Sequence, residues 1–170
     1  GRSTASMWGY KNTMGDLTVS LGYNAVNSTQ GGDAESSIGL SYAMDGITMV
    51  AGRFDDDTVA VHDTVGVKYT AGSITAAIQR TDINYTGSTA DQEAMHMGVS
   101  FAVNDNLSVS AGRQKVEIDG TVDDEINSGV SASYTMGSIT IGGGFNSVES
   151  AGGAAGSDAE ATMLNLAFAF

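Results

Sequence analysis

Two histidines are the residues of this chain whose chemistry could be catalytic. His62 is followed directly by Asp63, and a histidine beside an acid can be half of a hydrolytic triad. His96 lies in a different predicted strand, and the chain has neither a Gly-x-Ser-x-Gly elbow nor a cysteine that would supply a nucleophile. The sequence therefore favours hydrated histidines over a catalytic pair, and an enzyme is not expected.

Acidic residues form the second group, and they concentrate in the longer connections between predicted strands. The densest clusters contain Asp55, Asp56, Asp57, Asp119, Asp123, Asp124 and Glu125. Carboxylate oxygens suit Ca²⁺ or Mg²⁺, but the glycine and the terminal glutamate of an EF-hand loop are not where that motif needs them. We favour a solvated acidic rim that concentrates cations, with loop-bound calcium as the second interpretation. No other cofactor is indicated.

The elements that must position these residues are β-strands, because apolar and polar residues alternate along most of the chain. Leu17–Tyr23 and Val65–Tyr69 show the alternation clearly. The pattern predicts a single domain, 1–170, with eleven strands at 3–11, 16–27, 35–44, 47–55, 60–70, 73–84, 91–103, 107–118, 124–135, 138–149 and 160–170.

The connections alternate in length, and an aromatic residue stands shortly before each short turn. The aromatic residues at this end of alternate strands are Tyr10, Tyr42, Tyr69, Phe101, Tyr134 and Phe168. Aromatic girdles, short turns on one side and longer loops on the other are typical of transmembrane β-barrels. We therefore predict an all-β, antiparallel, membrane-spanning β-barrel with these rings as its girdle, rather than the soluble β-sandwich or β-solenoid that alternation alone allows.

The polar positions of the predicted strands carry hydroxyl, amide and small side chains with few charges, which suits a hydrated lumen. The residues expected to face a pore are Thr18, Ser20, Asn24, Lys68, Thr75, Gln79, His96, Ser100, Gln114, Ser133, Thr140 and Asn146.

Arg53, Arg80 and Arg113 occupy one aligned position in an internal repeat of hairpins. Strict alternation places them on the lipid-facing side near the outer boundary, where an arginine can snorkel toward headgroup phosphates. A β-bulge would instead turn them into the pore. The sequence does not decide between these two orientations.

Composition excludes several classes of protein. The chain has a formal net charge of −13 with only seven Lys and Arg, which disfavours binding to nucleic acid. It has no cysteine for a disulfide framework, and no apolar run is long enough for a transmembrane helix. Its 23 glycines and the absence of proline suit strands joined by tight turns.

The C-terminal residues Leu164, Leu166, Phe168 and Phe170 alternate with Asn165, Ala167 and Ala169. This run resembles the C-terminal signature of bacterial outer-membrane proteins, which the barrel-assembly machinery recognises. Together with the small residues, the acidic loops and the TMGS-type turns, it makes the whole chain resemble the general porins of α-proteobacteria at the level of pattern.

The resemblance implies a homotrimer in the outer membrane of a Gram-negative bacterium, in contact with outer-membrane lipid and lipopolysaccharide. General porins are 16-stranded barrels with a long third loop folded inward, whereas this sequence predicts eleven strands and no such loop. We therefore expect the C-terminal part of a porin, without its first strands and constriction loop. A complete barrel of 10 or 12 strands stays open as the alternative.

The expected function is a water-filled channel for passive diffusion of small hydrophilic solutes and ions. Weak cation selectivity is expected because the acids crowd the loop side and basic residues are few. The alternative is a small non-conducting outer-membrane barrel that anchors the envelope or binds a partner through its acidic loops.

Overall fold

The computed structural model describes residues 7–25 and 34–169, which form one antiparallel sheet of eleven strands in chain order. The strands are β1 (Met7–Met14), β2 (Leu17–Asn24), β3 (Glu35–Met44), β4 (Ile47–Asp56), β5 (Ala60–Ala71), β6 (Ile74–Tyr85), β7 (Gln92–Ala102), β8 (Leu107–Ile118), β9 (Glu125–Met136), β10 (Ile139–Glu149) and β11 (Ala159–Phe168). The all-β antiparallel prediction is confirmed, and from β3 onward every strand end lies within two residues of its predicted position.

The first hairpin differs from its prediction. β1 continues to Met14 instead of ending at residue 11, because Met14 pairs with Leu17 and only Gly15 and Asp16 form the turn. Gly15 has φ 60°, a backbone conformation that glycine adopts at little cost. β2 ends at Asn24 rather than at residue 27, and residues 3–6 and 26–33 lie outside the described part of the chain.

The turn between β3 and β4 shows how the short connections fix the strand register. Asp45 and Gly46 both have positive φ, at 48° and 81°, the combination that a two-residue type I′ turn requires. The Thr70 amide at the end of β5 donates a hydrogen bond of 2.8 Å to the Gly46 carbonyl, so the turn is also tied to the next hairpin. A hydrogen bond therefore links neighbouring hairpins at the short-turn edge of the sheet.

The sheet has no hydrophobic core of its own. Among the described residues, Ala60 is the one apolar residue that is buried. Large apolar side chains are instead exposed, including Leu40, Val67, Ile78, Met97 and Leu166. A water-soluble sheet would have to cover such a surface with another apolar layer, because exposed apolar area is unfavourable in water. Within the described ranges, no helix is long and apolar enough to cross a membrane.

The strand register separates two faces. Directly opposed residues on neighbouring strands share a face, and the one-to-one pairing continues without a bulge through all ten strand pairs. The apolar face contains the row Leu17, Tyr42, Met49, Val67, Ile78 and Met97. The polar face contains the row Thr18, Ser41, Val50, Gly66, Gln79, His96 and Gln114.

The polar face is concave along the C-terminal half of the sheet. A trough of about 1160 Å³ lies against β7 to β11 and is lined mainly by polar-face residues such as Gln114, Asn127, Ser131 and Asn146. The two edges of the described sheet are β1 and β11. Both strands run toward the short-turn side, since β1 leads into a short turn and β11 follows a longer connection.

Candidate functional site

The structure brings the twelve predicted pore-facing residues together on the polar face. Gln79, His96 and Gln114 stand directly opposite one another on β6, β7 and β8. The same face carries Thr18, Ser20, Asn24, Lys68, Thr75, Ser100, Ser133, Thr140 and Asn146. Seven of the eleven strands, β2 and β5 to β10, carry these residues, and the regular pleat of each strand places them on the same face. Their contact with a water column is part of the proposal below.

Hydroxyl pairs connect neighbouring strands across the polar face. Thr64 and Thr81 lie 2.9 Å apart, and Ser110 and Ser131 lie 2.7 Å apart, oxygen to oxygen. Three further pairs stand beside short turns, namely Thr13 with Thr18, Thr70 with Thr75, and Thr135 with Thr140. Cross-strand threonine and serine pairs stabilise a sheet by up to about 1 kcal/mol each. They also leave oxygen lone pairs available to water.

Charges on the polar face are sparse and unevenly placed. In the strands that the structure describes, this face carries the basic residues Lys11 and Lys68 and the acidic residues Glu35, Asp56 and Glu125. All three acids lie at the ends of strands that meet the longer connections, and Glu35 stands directly opposite Asp56. The loop-side end of the polar face is therefore the acidic end.

The structure does not bring the two histidines together, because they lie in different rows on β5 and β7. His62 is on the polar face, where its ring meets the edge of Phe54 at a centroid distance of 5.8 Å. Asp63 is on the apolar face because successive side chains of a strand point to opposite sides. His96 lies between Gln79 and Gln114. No acid is positioned to orient either ring in the described part of the chain.

The apolar face carries a row of ion pairs near the longer connections, which we call the charged belt. It is formed by Arg53, Asp55, Asp63, Arg80, Asp82, Glu93, Lys115, Glu117 and Asp124. The register settles the orientation of the arginines: Arg53, Arg80 and Arg113 all share the apolar face, because no bulge interrupts the alternation.

Each basic residue of the charged belt is neutralised in the same way. It contacts the acid two residues later on its own strand and a second acid on or just before the next strand. Arg80, for example, lies 2.8 Å from Asp82 and 2.8 Å from Glu93. The sequence predicted acids in the longer connections and the strand ends beside them, but not that Asp63, Asp82, Glu93 and Glu117 pair with basic residues on the apolar face. The alternation could have found them, since each occupies an apolar-face position.

The structure divides the predicted acidic rim between the two faces. Asp55 and Asp124 belong to the charged belt, with Asp124 2.9 Å from Lys115, whereas Asp56 and Glu125 are on the polar face. Asp57, Asp119 and Asp123 lie in the connections. No three acidic or histidine side chains within the described ranges are grouped so as to hold a metal ion. Loop-bound calcium therefore stays a hypothesis that rests on the sequence alone.

The connection between β10 and β11, residues 150–158, folds back onto Glu125. The Gly152 amide donates a hydrogen bond of 2.7 Å to the Glu125 carboxylate, and the Asn127 side chain donates a second of 2.6 Å. Glu125 is the first residue of β9, at the loop-side end of the polar face and opposite Val116. These two donors lower its pKa, the Gly152 amide most strongly. We call residues 150–158 the rim loop.

The rim loop is compact and closely fitted. The Ser150 amide donates to the Asp158 carboxylate at 2.9 Å, and the Ala151 amide donates to the Ser157 carbonyl at 2.8 Å. Gly153 is buried with φ 74°, and a Cβ there would lie 2.5 Å from the Cβ of Thr121. A side chain at this position is therefore excluded both by the backbone conformation and by space.

The six predicted girdle residues share the apolar face near the short turns. The register places Tyr10, Tyr42, Tyr69, Phe101, Tyr134 and Phe168 there. Trp8 stacks on Tyr10 at a centroid distance of 6.4 Å. Leu164 and Leu166 of the predicted assembly signal are on this face too. Phe170 lies outside the described residues, so its role stays a prediction.

We expect replacement of Phe168 by Asp to slow membrane assembly strongly, because it places a charge on the apolar face beside Ile139. The assembly rate is measured as the increase with time of the folded, heat-modifiable band on a gel. Ala167→Asp is the matched control, since Ala167 is on the polar face opposite Thr140. Equal assembly rates for both variants would show that the alternating terminal run is not an assembly signal.

A bulge-free antiparallel sheet with an exposed apolar exterior and a hydroxyl-lined concave interior defines the wall of a transmembrane β-barrel. The chain belongs to the Gram-negative porin family, whose model matches residues 1–170. The family membership confirms the predicted resemblance and places the chain in the outer membrane of a Gram-negative bacterium.

Solved structures with the same fold are outer-membrane proteins of low sequence identity. A porin refined at 1.8 Å is 16% identical, with a TM-score of 0.76 over 96% of this chain. A mutant of the Rh. blastica porin is 19% identical, with a TM-score of 0.67 over 95%. A loop-deletion mutant of OmpT from Vibrio cholerae is 11% identical, with a TM-score of 0.68 over 95%. No curated protein sequence matches the chain significantly.

The chain is shorter than these relatives. It spans 60% of the first porin, 54% of the Rh. blastica porin and 62% of OmpT. At such low identity, the structural likeness establishes the fold of the sheet, and channel activity is argued separately from the polar face.

Proposed function

We propose that the chain forms part of the wall of a water-filled channel for small hydrophilic solutes and ions. The observation that carries this proposal is the division of one sheet into two faces without a core. The apolar face exposes large side chains that lipid can cover, whereas the polar face is concave and lined by hydroxyl and amide groups. Only a hydrated lumen satisfies such a surface inside a membrane, because unpaired polar groups are costly in hydrocarbon.

We further propose that additional strands complete the barrel. β1 and β11 run in the same direction, so their direct pairing would be parallel, as would pairing with a second copy of the sheet in the same orientation. All backbone groups must be paired in lipid, so the sheet has to close into a barrel. An odd number of added strands makes every strand pair of the closed barrel antiparallel. Five added strands would give the even, 16-stranded barrel expected from the resemblance to general porins, with its constriction loop.

The partners of this channel follow from the porin resemblance and belong to the proposal. They are outer-membrane lipid and lipopolysaccharide around the apolar face, the barrel-assembly machinery during insertion, and two further copies in a homotrimer. No catalytic step and no nucleic acid enter the proposed function.

Single-channel recording of the purified full-length protein in planar bilayers tests the proposal. Stepwise conductance increases that scale with salt concentration are expected for a water-filled pore. A folded, membrane-inserted protein that produces no steps would favour the alternative, a non-conducting barrel that binds through its loops.

The acids at the loop-side end of the polar face should give a modest cation preference. We expect Glu35→Gln with Asp56→Asn to lower the cation preference, mainly at low salt, because the Debye length is about 10 Å at 0.1 M and about 3 Å at 1 M. The reversal potential across a salt gradient measures the preference.

The matched control is Asp55→Asn with Asp124→Asn, which removes the same charge from the apolar face. The acids of the control face Arg53 and Lys115 rather than the concave side. Equal shifts from the two double variants would show that net charge, and not its placement on the polar face, sets the selectivity.

A further inference from the structure

Arg113 differs from the other arginines of the apolar face. Arg53 and Arg80 occupy the equivalent repeat position, and each contacts two carboxylates. In the repeat that contains Arg113, Lys115 stands where the other two repeats have an acid two residues later, and Ser128 lies directly opposite Arg113, where Arg53 has Asp63. The ion pairs of this repeat lie two residues nearer the loops, where Lys115 contacts Glu117 and Asp124.

This shift leaves Arg113 without a carboxylate partner in the described part of the chain. The Arg113 side chain is exposed, with Met97 and Ser128 directly opposite it on the neighbouring strands. Ser147 follows Ser128 in the same row on β10. Within the described residues, no carboxylate therefore lies in ion-pair contact with Arg113, whereas Arg53 and Arg80 each have two such contacts.

The height of Arg113 places it in the outer part of the membrane. It follows Leu107, the first residue of β8, by six positions, which corresponds to about 20 Å along a strand. With a strand tilt of 35–45°, this is roughly 15 Å of height, inside the apolar band of about 25 Å. The guanidinium must therefore extend toward the loop side to reach polar groups.

We propose that Arg113, with the hydroxyl of Ser128, binds the phosphate of an outer-leaflet lipid. The inference rests on the proposed membrane placement of the apolar face. A guanidinium donates two parallel hydrogen bonds to a phosphate, and this contact is strong where water is scarce. The serine opposite Arg113 supplies a further donor within cross-strand distance, and the exposed Met97 side chain offers apolar contact to an acyl chain.

Native mass spectrometry of the full-length protein in detergent tests the site, with diphosphorylated lipid A and its dephosphorylated form as the probes. We expect Arg113→Gln to weaken binding of the phosphorylated lipid about tenfold or more, as the loss of a charge-assisted hydrogen bond predicts. Arg113→Lys should retain part of the affinity. Lys68→Gln is the matched control, because it removes one positive charge from the polar face.

The inference is overturned if Arg113→Gln binds the phosphorylated lipid as tightly as the unsubstituted protein, or if the dephosphorylated lipid binds equally well. A changed oligomer mass with unchanged lipid binding would assign Arg113 to a contact between copies instead. Conductance of the same samples separates the two proposals. Normal channels with unaltered lipid binding reject only the lipid site, whereas absence of channels in the unsubstituted protein rejects the proposed function.

Discussion

Replacing Ile78 by Lys should largely abolish stable insertion of the protein, whereas replacing its neighbour Gln79 by Lys should be tolerated. Ile78 is 48% exposed on the apolar face, between Val67 and Met97, and lies below the level of Arg80. A lysine near the bilayer midplane costs about 2–4 kcal/mol, which lowers the ratio of folded to unfolded protein by roughly 30- to 1,000-fold.

Gln79 makes the comparison sharp because it is adjacent in sequence but on the polar face. It stands between Gly66 and His96, where a lysine side chain has access to water. Folding into lipid vesicles across a urea series measures both free energies. Equal destabilisation by the two substitutions would contradict the assignment of the faces and, with it, the proposed channel.

Loss of the Glu125 charge should release the rim loop. The Glu125 carboxylate accepts hydrogen bonds from the Gly152 amide and the Asn127 side chain, and hydrogen bonds to charged groups contribute about 1.5–3 kcal/mol. Glu125→Gln at neutral pH should therefore raise the exchange rate of the Gly152 amide by roughly 10- to 100-fold. Hydrogen–deuterium exchange of the rim loop measures this change. Glu149→Gln serves as the control, because Glu149 is on the apolar face of β10.

The same contact gives a pH dependence of defined sign. Because the pKa of Glu125 is lowered in the folded protein, its contribution is complete above the ordinary glutamate pKa of about 4.3. It is lost as the pH falls through the lowered value. Other acids near the rim loop are Asp123, Asp124 and Asp158, so the Glu125→Gln variant is needed to assign the effect. Lowering the pH should release the rim loop and so increase the current fluctuations of the unsubstituted channel. The current fluctuations of the Glu125→Gln variant should not change with pH. The same response in both proteins would exclude Glu125 as the titrating group.

The alternation of residue types determined most of the fold by itself. A strand places successive side chains on opposite faces, so the positions of Thr18, Lys68 and Gln114 on one face followed from sequence spacing alone. The turn between β3 and β4 was equally local, because Asp45 and Gly46 favour the positive φ values that a tight hairpin needs. The register of each hairpin then followed from its turn, and the eleven strands came out in order.

Only the tertiary structure decided what depends on neighbouring strands. The orientation of Arg53, Arg80 and Arg113 depended on a register without bulges. A bulge inserts one residue into a strand and moves the side chains that follow it to the other face. The composition of the chain does not reveal whether a bulge is present. The partition of the acidic rim likewise depended on pairs such as Lys115 with Asp124, which join residues of different elements.

The fold of the rim loop onto Glu125 shows the same limit most clearly. Its anchor is a backbone amide 27 residues away in the chain, and every residue carries such a donor. Periodicity therefore determined which side chains within one strand share a face, because that property is local to the strand. Which of them meet across strands and loops was decided by the three-dimensional arrangement, because those contacts depend on distances that sequence spacing does not fix.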